Sequence, residues 1–251
     1  MKLCWHLGDN PITWDFAAFL VQAKTLGATS IHFRDTHLSK SKFGGGPDNA
    51  AEIALRRYNN ILKPLCGLAD LPFTTGDDGE PAKSCWHLGD IDRLFKERGS
   101  IWKFKAKEDH GQRGYVTVTI RNSFRRLNKN SNRPEWDKVI KEIQKTKPVV
   151  VLEDCEREPI DVSKRMSLYQ YADMNLGVTG GPMALLHFSE SPYLVFKMIP
   201  PGDDLWRQHF IRGGFPEGSQ LSFRNPRQKI VWGTDNYETI IKEYADSPAV
   251  G

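Results

Sequence analysis

Apolar positions along the chain fall into short runs of two kinds, one with strand period and one with helix period, separated by turn residues. Residues 2–7 (KLCWHL) read as a strand that opens on Gly8-Asp9-Asn10-Pro11. Over residues 14–26, Trp14, Ala17, Ala18, Val21 and Leu26 share one helical face. Gly27 suits the end of that helix, and SIHFR at 30–34 makes a second strand. The polar stretch 35–48, with Gly44-Gly45-Gly46, reads as a long connection. Residues 49–68 are helical in character, with Pro64 a kink or stop. Periodicity is weakest over 70–112, where PFTTGDDGEPAKS has turn chemistry and IDRLFKER suits one short helix. The hexapeptide CWHLGD stands at both 4–9 and 85–90 with unlike flanks, so it does not imply a duplicated domain.

Regular alternation resumes after His110-Gly111. Strands are expected at 115–121 (YVTVTIR), 149–154 (VVVLED), 175–179 (NLGVT), 193–198 (YLVFKM) and 229–233 (KIVWG). Helices are expected at 136–145, 167–174, 182–188, 206–212 and 236–245, the last with Asp235 as its N-cap. Strands that read as continuous apolar runs, alternating with helices, specify a parallel sheet covered on both faces. The expected class is α/β, with two Rossmann-like, doubly wound domains facing across a cleft. Residues 1–110 form the first and 111–251 the second, with the last helix free to pack back on the first. In such sheets the ligand crevice lies beyond the carboxyl ends of the strands. The turn Thr179-Gly180-Gly181-Pro182 falls at one of these ends. Its glycines permit close backbone approach to an anion, and Pro182 suits a first helical turn. A tight strand-to-helix connection is the plain alternative.

Composition changes this picture little. The 251 residues are of ordinary globular make-up, and no apolar run approaches the roughly 20 residues of a membrane span. The N-terminus lacks the features of a signal peptide. Cys4, Cys66, Cys85 and Cys155 lack metal-ligand spacing and suggest no disulfide framework, so a cytoplasmic chain with reduced thiols is expected. Adjacent Asp77 and Asp78 sit in a glycine-rich turn without further spaced ligands, and no metal site is expected. Charge matters more. Between Arg93 and Lys147 there are 16 Lys or Arg against six Asp or Glu, so the remainder is net acidic although the whole is only +4. A basic middle fits an anionic ligand held between two halves, a nucleic-acid patch, or a solvated lysine-rich surface.

Several of these segments also carry a family likeness. Leu7-Gly8-Asp9, with Pro11 and a helix following, resembles the opening of the two-domain GT-B glycosyltransferases. Within that group it is most similar to the bacterial ADP-heptose:lipopolysaccharide heptosyltransferase family. SLYQYADMNLGVTGGPMALLHFSESPYLVF resembles that family's signature of helix, strand, Asp-Thr-Gly-type turn and helix. The basic loop 125–133 before Pro134-Glu135-Trp136 stands where the family has a lysine-bearing, sugar-phosphate-facing loop. The likeness covers most of 1–34 and 115–246. A looser one is to fucosyltransferases, which place an arginine after the first strand of the second domain, as Arg121 stands here. Thr179 replaces the family's acidic residue and Ala184 its histidine, while Gly181, Pro182 and Met183 are kept.

The resemblance implies metal-independent transfer of a sugar from a nucleotide-sugar donor to a glycan or glycolipid acceptor. The donor is a substrate, so no cofactor is implied, and a glycolipid acceptor would bring the chain to a membrane surface without a span. Such transfer needs a base for the acceptor hydroxyl and positive groups for the departing diphosphate. Asp9 is the candidate base; its alternative role is to cap the following helix. Arg121, Arg125, Arg126 and Lys129 are the candidate diphosphate cations, with Ser123 as a neutral donor and Arg133 further along the loop. Thr179, Gly180, Gly181, Pro182 and Met183 form the expected donor-side turn. Glu153 and Asp154 suit either a ribose hydroxyl pair or a capped loop, and Lys197 stands at the crevice rim. Trp5, Trp14, Phe188 and Tyr193 read as core. Two other readings remain open: a non-catalytic binder of nucleotide sugars or another anion, and a nucleic-acid-binding protein.

Overall fold

The computed structural model describes residues 1–34, 50–76, 87–123, 127–154 and 161–248. Strands β1 (Lys2–His6), β2 (Ser30–Arg34) and β3 (Phe73–Gly76) form a parallel sheet in the order β1-β2-β3. Strands β4 (Val116–Arg121), β5 (Val149–Asp154), β6 (Met174–Val178), β7 (Tyr193–Phe196) and β8 (Gln228–Val231) form a second parallel sheet, in the order β5-β4-β6-β7-β8. The α/β class expected from the alternation holds, with two all-parallel sheets consistent with two Rossmann-like units. In the second sheet the chain starts at β4, steps outward to β5, then crosses to β6 on the other side. The winding therefore reverses between β4 and β6, where doubly wound sheets open their crevice.

Helix α1 (Phe16–Thr25) links β1 to β2. Helices α2 (Ala50–Arg57) and α3 (Lys63–Leu68) run continuously through a π-helical turn, Tyr58–Leu62. That turn answers the expectation of a kink or stop at Pro64. Proline lacks an N–H and its ring crowds the carbonyl four residues back, and a widened turn accommodates both without ending the helix. Strand β3 corrects the reading of this stretch as turn alone. It is an edge strand, largely exposed, so no alternation of apolar side chains marks it in the sequence.

The remaining helices are α4 (Leu88–Arg98), α5 (Arg133–Ile143), α6 (Val162–Tyr171), α7 (Met183–His187), α8 (Asp204–Arg212) and α9 (Tyr237–Ala245). Helices α5 and α9 cover one face of the five-stranded sheet, where Trp136, Val139, Ile240 and Tyr244 meet Val116, Val118, Leu176 and Phe196. A larger cluster joins its other face to the first sheet. It runs from Trp5, Phe16, Phe19 and Phe33 through Phe104 to Met166, Tyr169, Leu186, Tyr193 and Val195. Within it Trp5, Phe16 and Phe19 stack edge and face with ring centroids 4.7–5.7 Å apart. Such pairs each add about 0.5–1.5 kcal/mol beyond the area they bury. Polar ties accompany this core, including Ser167 Oγ donating to the Glu108 carbonyl and the Asp92 carboxylate accepting from Ser222.

The repeated hexapeptide has a local physical basis. In the first copy the Asp9 N–H donates to His6 Nδ1 at 3.1 Å. In the second, the His87 side chain accepts the Asp90 N–H while the Asp90 carboxylate accepts the His87 N–H, a capping box that starts α4. Both copies thus close the same His-to-Asp turn. The second continues as a helix, whereas Pro11 follows the first. Cys85 and Trp86 of the second copy lie outside the described residues.

Candidate functional site

Parallel pairing sets Arg121, the last residue of β4, directly beside Asp154, the last residue of β5. Their side chains are largely buried, 15% and 12% exposed, with Arg121 Nη1 3.6 Å from Asp154 Oδ2. That separation is an ion pair but too long for a hydrogen bond. Arg121 Nε is buried and without a hydrogen-bond partner, and among the described residues the guanidinium makes no hydrogen bond. Five N–H donors are thus held at the reversal point of the sheet with one carboxylate beside them. Buried polar groups are overwhelmingly hydrogen-bonded, and a guanidinium fork with donors to spare is chemically able to take an anion.

The glycine turn after β6 lies against this pair. A β-carbon on Gly180 would stand 3.1 Å from Arg121 Nη1 and 3.3 Å from Asp154 Oδ2, so the bare Cα is what lets the fork lie there. Gly181 serves another purpose: its β-carbon would fall 2.0 Å from Cδ1 of Trp14. The β1–α1 connection therefore packs on the turn, and Trp14 is core, as expected. Thr179 donates its N–H to the Phe196 carbonyl. Pro182 and Met183 are buried, with Met183 Sδ against Gly177. The N–H groups of Met183, Ala184 and Leu185 bond back to the carbonyls of Gly180, Gly181 and Pro182, while those of Gly180 and Gly181 take no part in these bonds. With only five residues, α7 contributes little macrodipole.

The loop after β4 is folded back on the strand end. The Arg121 N–H donates to Ser131 Oγ, and Ser123 and Asn130 exchange two hydrogen bonds of 2.8 Å. Lys129 does not point to open solvent: its ammonium lies 3.0 Å from the centre of the Trp206 ring. Arg125 and Arg126 lie outside the described residues. Lys197, at the end of β7, is 12% exposed and donates from Nζ to the Asn130 carbonyl at 2.7 Å. It also pairs with Asp235 at 3.3 Å, so it fastens this loop instead of standing at the rim. Its φ of +53° is rare for a residue with a side chain. The expected N-cap role of Asp235 is corrected: Asn236 caps α9, accepting the Thr239 N–H. Asp235 faces inward because its carboxylate holds Lys197, the Asn132 N–H and Trp136 Nε1. An open depression lined by Asn128, Pro201, Gly202, Asp203, Asp204 and Leu205 borders the loop.

One contributor escaped the sequence reading. Arg165 of α6 is buried, donating to the Glu153 carbonyl and the Tyr169 hydroxyl beneath the same strand ends. Burial pushes the Tyr169 phenol up, so it stays protonated and shares a hydrogen bond with Thr119. The available signal was an arginine beside Met166 on the side of α6 that also carries Val162 and Tyr169, four residues before that tyrosine. Counting buried charges at these strand ends among the described residues, Arg121, Lys129, Arg165 and Lys197 face Asp154 and Asp235. The excess is positive. Glu153 is turned outward to Arg133 at 2.9 Å.

Asp9 lies on the connection after β1, 61% exposed, with Oδ2 3.1 Å from His6 Nδ1. It does not cap α1, whose N-cap position is Asp15. The packing of Trp14 on Gly181 brings this connection and the glycine turn to one side of the molecule. Among the described residues no group of three or more His, Cys, Asp or Glu is placed to hold a metal ion, and no helix is long and apolar enough to cross a membrane. Cys4 and Cys66 are buried, and burial pushes the Cys66 thiol up to about 12. No family model, curated protein or solved structure matches the chain.

Proposed function

We propose that the protein is a nucleotide-sugar-dependent glycosyltransferase whose donor diphosphate is held by Arg121 at the β4–β6 crevice. The observation that carries this reading is the Arg121 guanidinium, largely buried and without a hydrogen bond among the described residues, lying over the bare Cα of Gly180. A diphosphate supplies the planar oxygen pairs that a guanidinium fork matches, and the positive excess at the strand ends stabilises the charge of the leaving group. The resemblance of the 167–196 segment and of Leu7-Gly8-Asp9 to GT-B enzymes supports sugar transfer, with Asp9 as the base that accepts the proton of the incoming hydroxyl. The acceptor is a glycan or glycolipid.

The non-catalytic alternative draws support from the turn, where Thr179 and Ala184 stand in place of the acidic residue and histidine of the family signature. Asp9→Ala separates the two: transfer is abolished with donor affinity nearly unchanged in an enzyme, and nothing is lost in a binder. The nucleic-acid reading is weakened because ten of the sixteen cations between Arg93 and Lys147 are already ion-paired within the protein.

Thermal unfolding against ADP-, GDP-, UDP-, CDP- and dTDP-linked sugars, with a short oligonucleotide in parallel, tests the donor site. A ligand at about a hundred times its dissociation constant stabilises the native state by about 2.7 kcal/mol, several degrees for a chain of this size. The expected result is a shift with one nucleotide class that disappears in Arg121→Gln. A shift with the oligonucleotide alone, or with none of these ligands, overturns the proposal.

A further inference from the structure

The two edges of the five-stranded sheet are finished differently. At one edge, in β8, the Ile230 backbone faces away from β7 and the Gln220 side chain takes both of its polar groups. The Ile230 N–H donates to Gln220 Oε1 at 2.9 Å, and Gln220 Nε2 donates to the Ile230 carbonyl at 2.7 Å. An edge covered in this way offers little to another strand. At the other edge, in β5, the carbonyls on either side of the apolar run, those of Pro148 and Asp154, accept the N–H groups of Val116 and Asn122 on the β4 side. Backbone direction alternates along a strand, so Val150 and Leu152 also face β4, while Val149, Val151 and Glu153 face outward. The Glu153 carbonyl takes Arg165 Nη2 at 2.9 Å. The N–H and C=O groups of Val149 and Val151 take no outward hydrogen bond among the described residues. The same strand is apolar and poorly covered. Val149, Val150 and Leu152 are half-buried and Val151 is 39% exposed, whereas every residue of β4 except Arg121 is buried.

We propose that β5 is an interaction surface for a second copy of this chain, joined edge to edge by antiparallel pairing about Val151. The outward-facing residues are symmetric about that position, as a two-fold axis requires. Val151 then lies opposite Val151 of the other copy, and Val149 lies opposite its Glu153, each pair exchanging backbone hydrogen bonds. The ends of the strand favour this arrangement over a parallel one. Lys145 and Lys147 precede the apolar run and Glu153 follows it. Antiparallel pairing sets the basic end of one copy beside the acidic end of the other, whereas parallel pairing would align like charges. An unrelated extended peptide has no such match built in. The contact joins two five-stranded sheets into one and covers the valines of both copies.

Sedimentation velocity over a wide concentration range tests it on the parent protein, on Val151→Lys and on Val151→Thr. An edge contact is small, so the parent is expected to dimerise reversibly, with more dimer at higher concentration. Val151→Lys sets two like charges across the axis and is expected to weaken dimerisation by about tenfold or more, while Val151→Thr, still β-branched, keeps it. Opposed Cα atoms in a hydrogen-bonded antiparallel pair stand about 5.5 Å apart, within disulfide reach. Mild oxidation is therefore expected to cross-link Val151→Cys but not Leu55→Cys, a more exposed apolar position on α2. A parent that stays monomeric throughout overturns the proposal and leaves the edge to an extended segment of another protein. Dimers that persist undiminished in Val151→Lys, or equal cross-linking of the two cysteine variants, overturn it as well.

Discussion

A β-carbon at Gly181 would lie 2.0 Å from Trp14, whereas one at Gly180 would meet the far end of Arg121 at 3.1 Å. The two neighbours differ in how far they can give. Trp14 is wedged in the core, so Gly181→Ala forces overpacking and is expected to cost about 1–3 kcal/mol, read as a lower urea midpoint. The guanidinium is the end of a flexible side chain, so Gly180→Ala is expected to change stability by under about 0.5 kcal/mol. It should instead displace the fork and weaken binding of whichever nucleotide sugar stabilises the parent. A variant pair that loses stability equally, with affinity intact in both, would show that the turn is packing alone. The sequence marked both glycines and Arg121, because glycine–proline turns and strand-end arginines are local signals. It gave no sign that the glycines serve different partners, since Trp14 and Arg121 lie far from them along the chain.

Asp235, Lys197 and the loop after β4 make the corresponding argument for elements. As an N-cap, Asp235 would be worth about 1 kcal/mol. In the fold it is the buried partner of Lys197 and the acceptor for Asn132 and Trp136, which ties β7, the loop and α5 together. Removing one member of a buried ion pair leaves an uncompensated charge, so Asp235→Ala is expected to cost about 3–5 kcal/mol. Asn236→Ala, which removes the actual cap, is expected to cost about 1 kcal/mol. Equilibrium urea unfolding of the two variants orders them, and the reverse order would return Asp235 to the surface. Adjacent Asp and Asn both suit an N-cap, and local chemistry does not say which of them turns inward. Most element positions were legible because periodicity is local. Strand β3 was missed because an exposed edge carries none, and the widened turn before Pro64 because proline by itself signals only a break.

For the molecule as a whole, the decisive feature is the apolar cluster that runs from the first sheet through Phe104 to the inner face of the second. Because neither half can lose its partner without exposing that surface, heating is expected to give one cooperative transition, with calorimetric and van't Hoff enthalpies in agreement. Two separated transitions would mean that the halves are independently stable. Against Tyr193 of the same cluster His187 is buried, and burial pushes its imidazole down to about 4, so it is neutral in the native state near neutral pH. The sequence by itself determined the α/β class, the two parallel sheets, the glycine turn and the arginine at a strand end. Each depends on the period of side chains or on the steric freedom of single residues, both of which act over a few positions. Only the tertiary structure decided that Asp154 stands beside Arg121, that Arg165 lies beneath them, that Trp14 closes on Gly181 and that Lys197 is drawn inward. Those partnerships depend on the order of strands in the sheet and on how the helices bury its faces, which bring together side chains tens of residues apart.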